Sequence, residues 1–309
     1  MKIKAGIVGG AGYTGGELIR LLLNHPEVSI AFSHSTSNQG NSIASVHTDL
    51  EGDTEMLFSG DEVFSTLTDV DVIFLCAGHG AGRKFIESQG LPSNVKVIDL
   101  SHDFRLKDTS KVGHRTFVYG LTELNREDIT QAQNIANPGC FATCIQLGLL
   151  PLAAAGKLNS EVHINATTGS TGAGQGLTPT SHFSWRANNL SVYKAFEHQH
   201  LAEISESLQQ VGSEVPALNF IPQRGAFARG ILAAMYVETE LTMAEASDLY
   251  KDFYKDHPFT HFSKSNIDLK QVVNTNKCLV HLEKHGNKLF IVSIIDNLLK
   301  GASGQAVEN

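Results

Sequence analysis

The chain has 309 residues, 41% of them hydrophobic and 18% charged, with a formal net charge of −8. That length favours two domains, and the composition gives ample material for a core. The lysines and arginines are scattered through a mildly acidic chain, which argues against nucleic acid or an anionic membrane surface as the main partner. The longest apolar run, Leu147 to Ala155, is too short for a membrane span and contains Pro151. The N-terminus enters a glycine-punctuated strand without the apolar core of a signal peptide. Four cysteines (Cys76, Cys140, Cys144 and Cys278) do not form a disulfide framework in a chain of this length, so a reducing cytoplasm is expected.

In chain order, Lys2 to Val8 reads as a strand and Gly15 to Asn24 as a helix with Leu18, Ile19, Leu21 and Leu22 on its apolar face. Strands follow at Val28 to Ser33, Val70 to Cys76, Val95 to Leu100 and Gln133 to Ala136, alternating with helical or loop segments. Such alternation predicts an α/β domain of Rossmann type, a doubly wound parallel sheet covered on both faces. After Cys140 the texture changes. A helical run over Phe141 to Leu150 leads to a strand at Val162 to Thr167 and a Gly/Ser/Thr-rich loop from Thr168 to Thr178. Later strands fall at Leu218 to Ile221, Gly230 to Glu238, Cys278 to Glu283 and Lys288 to Ile295. His285-Gly286-Asn287 reads as a hairpin turn, and a helix spans Met243 to Lys255. This half predicts an α+β domain with a mixed, mostly antiparallel sheet. The expected division is 1–140 for a nucleotide-binding domain, completed by 296–309, and 141–295 for a catalytic, substrate and oligomerisation domain.

Gly9-Gly10-Ala11-Gly12-Tyr13-Thr14-Gly15 lies between the first strand and the first helix. A tight turn, a side-chain-free approach and open N–H groups at a helix start are what a pyrophosphate requires. Glycine clusters also make plain turns, but the position directly after the first strand favours a dinucleotide. An acidic residue at the end of the second strand would accept from a ribose 2′-OH and repel a 2′-phosphate. Here the segment is Ser33-His34-Ser35-Thr36-Ser37-Asn38, so hydroxyls including Ser35 and Ser37 favour NADP over NAD; a turn or capping cluster is the bland alternative.

Asn137-Pro138-Gly139-Cys140 follows a short strand and precedes a helical run, placing Cys140 at the helix's first turn. A helix N-terminus favours a thiolate, which makes Cys140 the nucleophile candidate, while Cys144 one turn on is expected to face the core. A single Cys is otherwise often a small buried hydrophobe. His198 and His200 precede a helix carrying Ile204 and Leu208, and either can act as acid or base near pH 7. His-x-His pairs also ligate zinc, but the chain has no Cys-x-x-Cys and no His-Glu-x-x-His, so no metal is expected. Ser170, Thr171, Gly172, Ala173 and Gly174 have the composition of an oxyanion- or phosphate-binding loop, and Arg224 and Arg229 flank another loop able to grip an anion.

Taken together, these pieces resemble the N-acyl-γ-glutamyl-phosphate reductases of arginine biosynthesis over nearly the whole chain. The resemblance rests on the stretch from Gly9 to Leu18, Ile98-Asp99-Leu100-Ser101-His102-Asp103-Phe104-Arg105, and Tyr119-Gly120-Leu121-Thr122-Glu123. It rests further on Asn137 to Cys140, Gly172-Ala173-Gly174, the His198-x-His200 pair, and Ile295-Asp296-Asn297 through Gly304-Gln305-Ala306. It implies NADPH-dependent reduction of an N-acyl-γ-glutamyl phosphate to the semialdehyde and phosphate, through a thioester on Cys140. The resemblance favours His198 as acid/base, with His200 close behind. It places Gly9, Gly12, Tyr13, Thr14, Gly15, Ser35, Ser37, Gly172 and Asn297 at the cofactor. Ser170, Thr171, Gln175, Arg105 and Arg224 are the expected substrate contacts. A homodimer or homotetramer is also implied.

Two departures fall in the substrate loops. Gln175 stands where the family commonly has a basic residue, and Pro222-Gln223-Arg224 where it usually has Pro-His-Leu. They suggest a succinyl rather than an acetyl substrate, its extra carboxylate meeting Arg224. The chain ends at Val307-Glu308-Asn309, short of the family's usual tail, so a missing disordered end is an expectation. The alternatives are an aspartate-semialdehyde dehydrogenase-like acyl-phosphate reductase, or a non-catalytic NADP-binding sensor. The first fits the terminal Asp296-Asn297 to Gln305-Ala306 stretch poorly, and the second has no reason to keep Cys140 with His198 and His200.

Overall fold

The computed structural model describes residues 2–212 and 214–309, which divide into two compact units. One runs to Pro138 and is rejoined by Ala302–Asn309; the other is Gly139–Gly301.

In the first unit, β1 (Ile3–Val8), α1 (Tyr13–Leu23), β2 (Val28–His34), α2 (Ile43–Val46), β3 (Val72–Leu75), α3 (Ala81–Gln89) and β4 (Lys96–Asp99) follow one another. A small hairpin of β5 (Lys111–Val112) and β6 (Arg115–Thr116) precedes β7 (Val118–Tyr119), α4 (Thr122–Gln131) and β8 (Asn134–Ala136). The main sheet has six strands in the order β2-β1-β3-β4-β8-β7, every neighbouring pair parallel. Its strands are short apolar runs because both faces are covered. Ile7, Leu18, Ile19, Leu22 and Ile98 pack on one side, and Ile73, Leu75, Val97 and Phe104 on the other. The doubly wound parallel sheet expected from the strand–helix alternation is the one observed.

The second unit opens with α5 (Cys140–Ala154), then β9 (Val162–Thr168), α6 (Phe183–Arg186), β10 (Ser191–Val192), α7 (His200–Val211), β11 (Leu218–Arg224) and β12 (Ile231–Glu238). It continues through α8 (Met243–Tyr254), β13 (Thr260–Ser263), β14 (Cys278–His285) and β15 (Lys288–Ile295). The seven strands run β10-β11-β9-β12-β15-β14-β13. Only the β11–β9 and β14–β13 pairs are parallel, so the sheet is mixed and mostly antiparallel, as the sequence indicated.

Helix α5 is the axis of this unit. Phe141 through Ala153 are all buried, as expected of a helix without a polar face, and it packs against α7, α8, β12 and β15. Pro151 sits inside the helix and has no N–H for the carbonyl of Leu147. The Tyr254 hydroxyl supplies the missing donor to Leu147 O, and Tyr250 donates to Gly148 O beside it. Helix α8 thus repairs the break that the proline makes, which keeps α5 continuous back to Cys140.

The chain returns to the first unit at Ala302, later than the Asp296 expected from the order of elements. Residues 296–301 stay with the second unit because the Asp296 carboxylate is tied to Arg229 and Asn274 there. Helix α9 (Gly304–Glu308) then lies in the first unit, with Ser303 Oγ donating to Thr14 O and Gln305 buried.

Candidate active site

In the second unit, Gly139 takes an extended conformation and caps α5, so that Cys140 is the first helical residue. Its sulfur therefore lies at the positive end of a 15-residue helix with no acidic residue in its first turn. Cys140 is half-buried, whereas Cys144 is sealed. Cys144 donates to Ser293 O at 3.2 Å, and burial raises its thiol pKa well above the ordinary value. One helical turn separates an accessible sulfur from an inert one. A Cβ on Gly301 would come within 2.9 Å of the Cys140 Cβ, so only glycine lets the chain pass this close.

The Phe141 ring packs edge-on against both predicted histidines, with centroids 5.5 Å from His198 and 6.3 Å from His200. The two imidazoles lie 4.6 Å apart. The His200 N–H donates to His198 Nδ1 at 3.2 Å, so a neutral His198 carries its proton on Nε2. Burial, with a smaller contribution from the Lys194 charge, pushes the His198 pKa down to about 4. The chain thus brings Cys140, His198 and His200 into one unit, through Phe141 and the start of α7.

Glu203 and Tyr193 are functional candidates that the sequence reading missed. Glu203 accepts from the Gly139 N–H at 3.0 Å and lies 3.8 Å from His200 Nε2, linking the turn before Cys140 to the histidine pair. The available signal was its place three residues after His200 on the same helix, where i and i+3 share a face. Tyr193 packs 5.7 Å from His198, and Arg224 stacks 4.8 Å over its ring. Burial, reinforced by the charge of Cys140, pushes the phenol up to about 12, so it remains a hydrogen-bond donor.

The expected substrate loop behaves unevenly. The Thr171 hydroxyl donates to Ala228 O at 2.7 Å and accepts from Asn297 Nδ2 at 3.0 Å, so its proton is already committed within the loop. Ser170 is half-buried and Gln175 exposed. Gln223 accepts from Thr167 Oγ1 at 3.0 Å. Arg229, the other candidate anion clamp, is held by Asp296. Asn297 is buried, with Oδ1 accepting from the Gly230 N–H at 2.7 Å, and Gly172 is exposed near it.

In the first unit, Gly9 has φ +84°, and a Cβ there would sit 2.8 Å from Ala77 N. Gly12 caps α1 without a side-chain acceptor, and the first turn carries no acidic residue. A Cβ on Gly12 would meet nothing closer than 3.8 Å, so the N–H groups of Tyr13 and Thr14 open onto uncrowded space. These residues fit a pyrophosphate. At the end of β2, Ser35 is buried and Ser37 exposed. Asp61 reaches this end but pairs with His34 Nε2 at 2.9 Å, and Glu62 accepts from Gly60 N at 2.8 Å. Two carboxylates, Asp61 and Glu62, thus approach the end of β2, each already holding a hydrogen bond of its own. Arg105, expected at the substrate, is buried, with Nε donating to Asn137 O and Nη2 to Leu100 O. The expected cofactor residues thus divide, with Gly9 to Gly15, Ser35 and Ser37 in the first unit and Gly172 and Asn297 in the second. Among the described residues, no three His, Cys, Asp or Glu side chains group as metal ligands.

A parallel nucleotide-type sheet in one unit and, in the other, a mixed sheet with a cysteine opening its central helix define a class, that of the semialdehyde dehydrogenases. Residues 4–132 match the model for the semialdehyde dehydrogenase NAD binding domain, and residues 140–297 the one for the dimerisation domain. The fold matches aspartate semialdehyde dehydrogenase II from Vibrio cholerae with a TM-score of 0.75 at 17% identity, over 100% of this chain and 97% of that one. The enzyme with NADP from Candida albicans matches at 0.69 and 14%, over 99% and 97%. Sequence narrows the class. N-acetyl-gamma-glutamyl-phosphate reductase of Azobacteroides pseudotrichonymphae is 59% identical over 99% of this chain and 93% of its own length. Those of Bacteroides fragilis and Flavobacterium johnsoniae are 58% and 53% identical, each over 99% of this chain and 94% of their own. The chain belongs to the N-acetyl-gamma-glutamyl-phosphate reductases within the semialdehyde dehydrogenase family.

Proposed function

We propose that this protein reduces an N-acyl-γ-glutamyl phosphate to N-acyl-glutamate 5-semialdehyde and inorganic phosphate in arginine biosynthesis, with NADPH as reductant. The observation that carries the reading is the half-buried Cys140 at the head of α5, with two buried histidines packed on its neighbour Phe141. The aspartate-semialdehyde dehydrogenases share the fold at 17% identity or below among the structures compared, while reductases of the N-acetyl-glutamyl class share more than half the sequence. That difference sets the aspartate enzyme aside. A non-catalytic sensor would have no use for the cysteine and histidines together.

The Cys140 sulfur attacks the γ-carbonyl carbon, and the carbon–oxygen bond to phosphate breaks, leaving a thioester. NADPH supplies a hydride to that carbon when bound. The carbon–sulfur bond then breaks, returning Cys140 and the aldehyde. The His198–His200 pair handles protons. His198 stays neutral at pH 7, with hydrogen on Nε2, and donates toward oxygen as negative charge develops on the tetrahedral centre. The N–H groups at the head of α5 assist. Glu203 positions the Gly139 turn and faces His200. Gly9, Gly12, Tyr13, Thr14 and Gly15 hold the cofactor pyrophosphate, with Ser35 and Ser37 toward the 2′-phosphate. Gly172 and Asn297 act at the nicotinamide end, while Ser170, Thr171, Gln175, Arg105 and Arg224 contact or frame the substrate. The protein works in the cytoplasm as a homodimer or homotetramer, the match of residues 140–297 to a dimerisation domain supporting the oligomer.

A succinyl substrate is a second reading, favoured by Arg224, whose buried Nε has no hydrogen-bond partner among the described residues. The test is phosphate-dependent NADP reduction with N-acetyl- and N-succinyl-glutamate semialdehydes, run on wild type and Cys140→Ser. We expect Cys140→Ser to lose at least about 10³-fold in kcat with cofactor binding retained. Turnover near the wild-type rate would overturn the thioester route, and a clear preference for acetyl would remove the succinyl reading.

A further inference from the structure

Two arginines of the second unit converge on the β10–β11 edge. Ser191 pairs in register with Arg224. Arg186 Nη2 donates to Ser191 Oγ at 3.3 Å, and its Nη1 to the carbonyl of Gly225, which follows Arg224, at 3.4 Å. The Nε of each guanidinium is buried and has no hydrogen-bond partner among the described residues, and no described carboxylate pairs with either group. Their charges act on each other: the Arg186 pKa is lowered first by burial and then by Arg224. Arg229, by contrast, lies flat against Asp296 with both charges matched. Two adjacent guanidiniums with unused N–H groups and no counter-charge are a fork for an oxyanion, the geometry in which arginine surpasses lysine.

The position ties this pair to the reacting centre. Arg224 stacks on Tyr193, Tyr193 packs 5.7 Å from His198, and His198 packs 5.5 Å from Phe141, the residue next to Cys140. We propose that Arg186 and Arg224 together form an anion site beside Cys140 that holds an oxyanion of the substrate, either the phosphate group or a carboxylate. This rests on the reductase reading and adds Arg186, which neither sequence pattern nor resemblance had marked. A substrate with an acyl phosphate and carboxylates offers both sources of oxyanion, and the fork distinguishes them by which one binds alone.

The chain supplies its own reporter. Trp185 is its single tryptophan, and the Arg186 guanidinium lies 4.8 Å over that ring. Trp185 fluorescence is titrated with inorganic phosphate and, separately, with succinate, using the full chain carrying Cys140→Ser so that no chemistry intervenes. The expected result is a saturable change with one of the two anions. Its apparent Kd should weaken about 10-fold or more in Arg186→Gln and in Arg224→Gln, as for loss of a charge-assisted hydrogen bond. Arg186→Lys keeps a charge without the fork and should fall between, which separates lost recognition from lost folding. Saturation by phosphate assigns the site to the phosphate group, and saturation by succinate to a carboxylate. No saturable change with either anion, or a change that survives both glutamine substitutions, overturns the site. Wild-type turnover in the same preparation tests the reductase reading separately, so the anion site can fail while that reading stands.

Discussion

Strands β4 and β15 both lead into carboxylates with no exposed surface, and the protein treats the two in opposite ways. Asp296, just after β15, receives Arg229 Nε at 2.9 Å and Nη2 at 3.1 Å. It also accepts the N–H groups of Asn274 at 2.7 Å, Leu298 at 2.8 Å and Leu299 at 3.1 Å. Asp99, the last residue of β4, has one oxygen on Ser101 Oγ at 2.7 Å, and its other oxygen has no partner among the described residues. Burial pushes the Asp99 carboxyl up to about 7, against the pull of the Ser101 hydrogen bond. Burial alone therefore does not fix what a carboxylate does. Full hydrogen bonding makes a structural anchor, and partial bonding makes a group that exchanges its proton near neutrality.

The largest expected effect tests the anchor. Asp296→Asn keeps the shape but leaves Arg229 partly buried without its counter-charge and presents N–H groups to N–H groups. We expect a loss of about 3–5 kcal/mol, the range for breaking one side of a buried ion pair, read by urea unfolding at pH 7. A loss below about 1 kcal/mol would place Asp296 among ordinary surface carboxylates and break the contrast.

The same contrast shows what was legible in the sequence. Gly9 to Gly15 and Asn137 to Cys140 announce themselves because their requirements are local: a turn, then a helix start. The buried strands were readable as apolar runs, but the two-residue strands β5, β6, β7 and β10 are too short to carry a period. Glu203 went unmarked because its partner Gly139 is 64 residues away, and the contact exists only once α7 packs on α5. Arg105, expected to frame the substrate, also braces the backbone at Asn137 and Leu100, a role the sequence does not announce. Long-range bonding of this kind has no periodic signature. The Asp296-Asn297 pair was visible as a motif, but its five hydrogen bonds to Asp296 come from Arg229, Asn274 and the chain just beyond.

Asp99→Asn should act in the opposite direction to Asp296→Asn. The folded pKa of Asp99 is raised above its unfolded value, so the native state binds the extra proton. The stability this gives is fully present below about pH 4 and is lost as pH rises through about 7. The asparagine variant cannot titrate and should lack that slope. It should gain roughly 3–4 kcal/mol on wild type between pH 4 and pH 8, the amide's own unmet hydrogen bonds moving both ends of that range alike. Parallel pH–stability curves for the two proteins would mean that Asp99 is as well satisfied as Asp296.

The smallest effect isolates the cause. Ser101 Oγ donates to Asp99 Oδ2 and accepts the Asp103 N–H at 3.0 Å, so one hydroxyl supports both the carboxylate and the turn after β4. Ser101→Ala should cost about 1 kcal/mol at every pH through the lost Asp103 contact. It should also move the Asp99 transition upward, because the side-chain hydrogen bond from Ser101 that favours the charged form is gone. The two consequences separate in the Asp99→Asn background, where the pH-independent loss persists and the transition near neutrality has no carboxyl left to act on, Asp103 being held below the ordinary carboxylate range. A Ser101→Ala shift that remained in the double variant would mean that another group titrates, and that the incomplete bonding of Asp99 is not what sets it apart from Asp296.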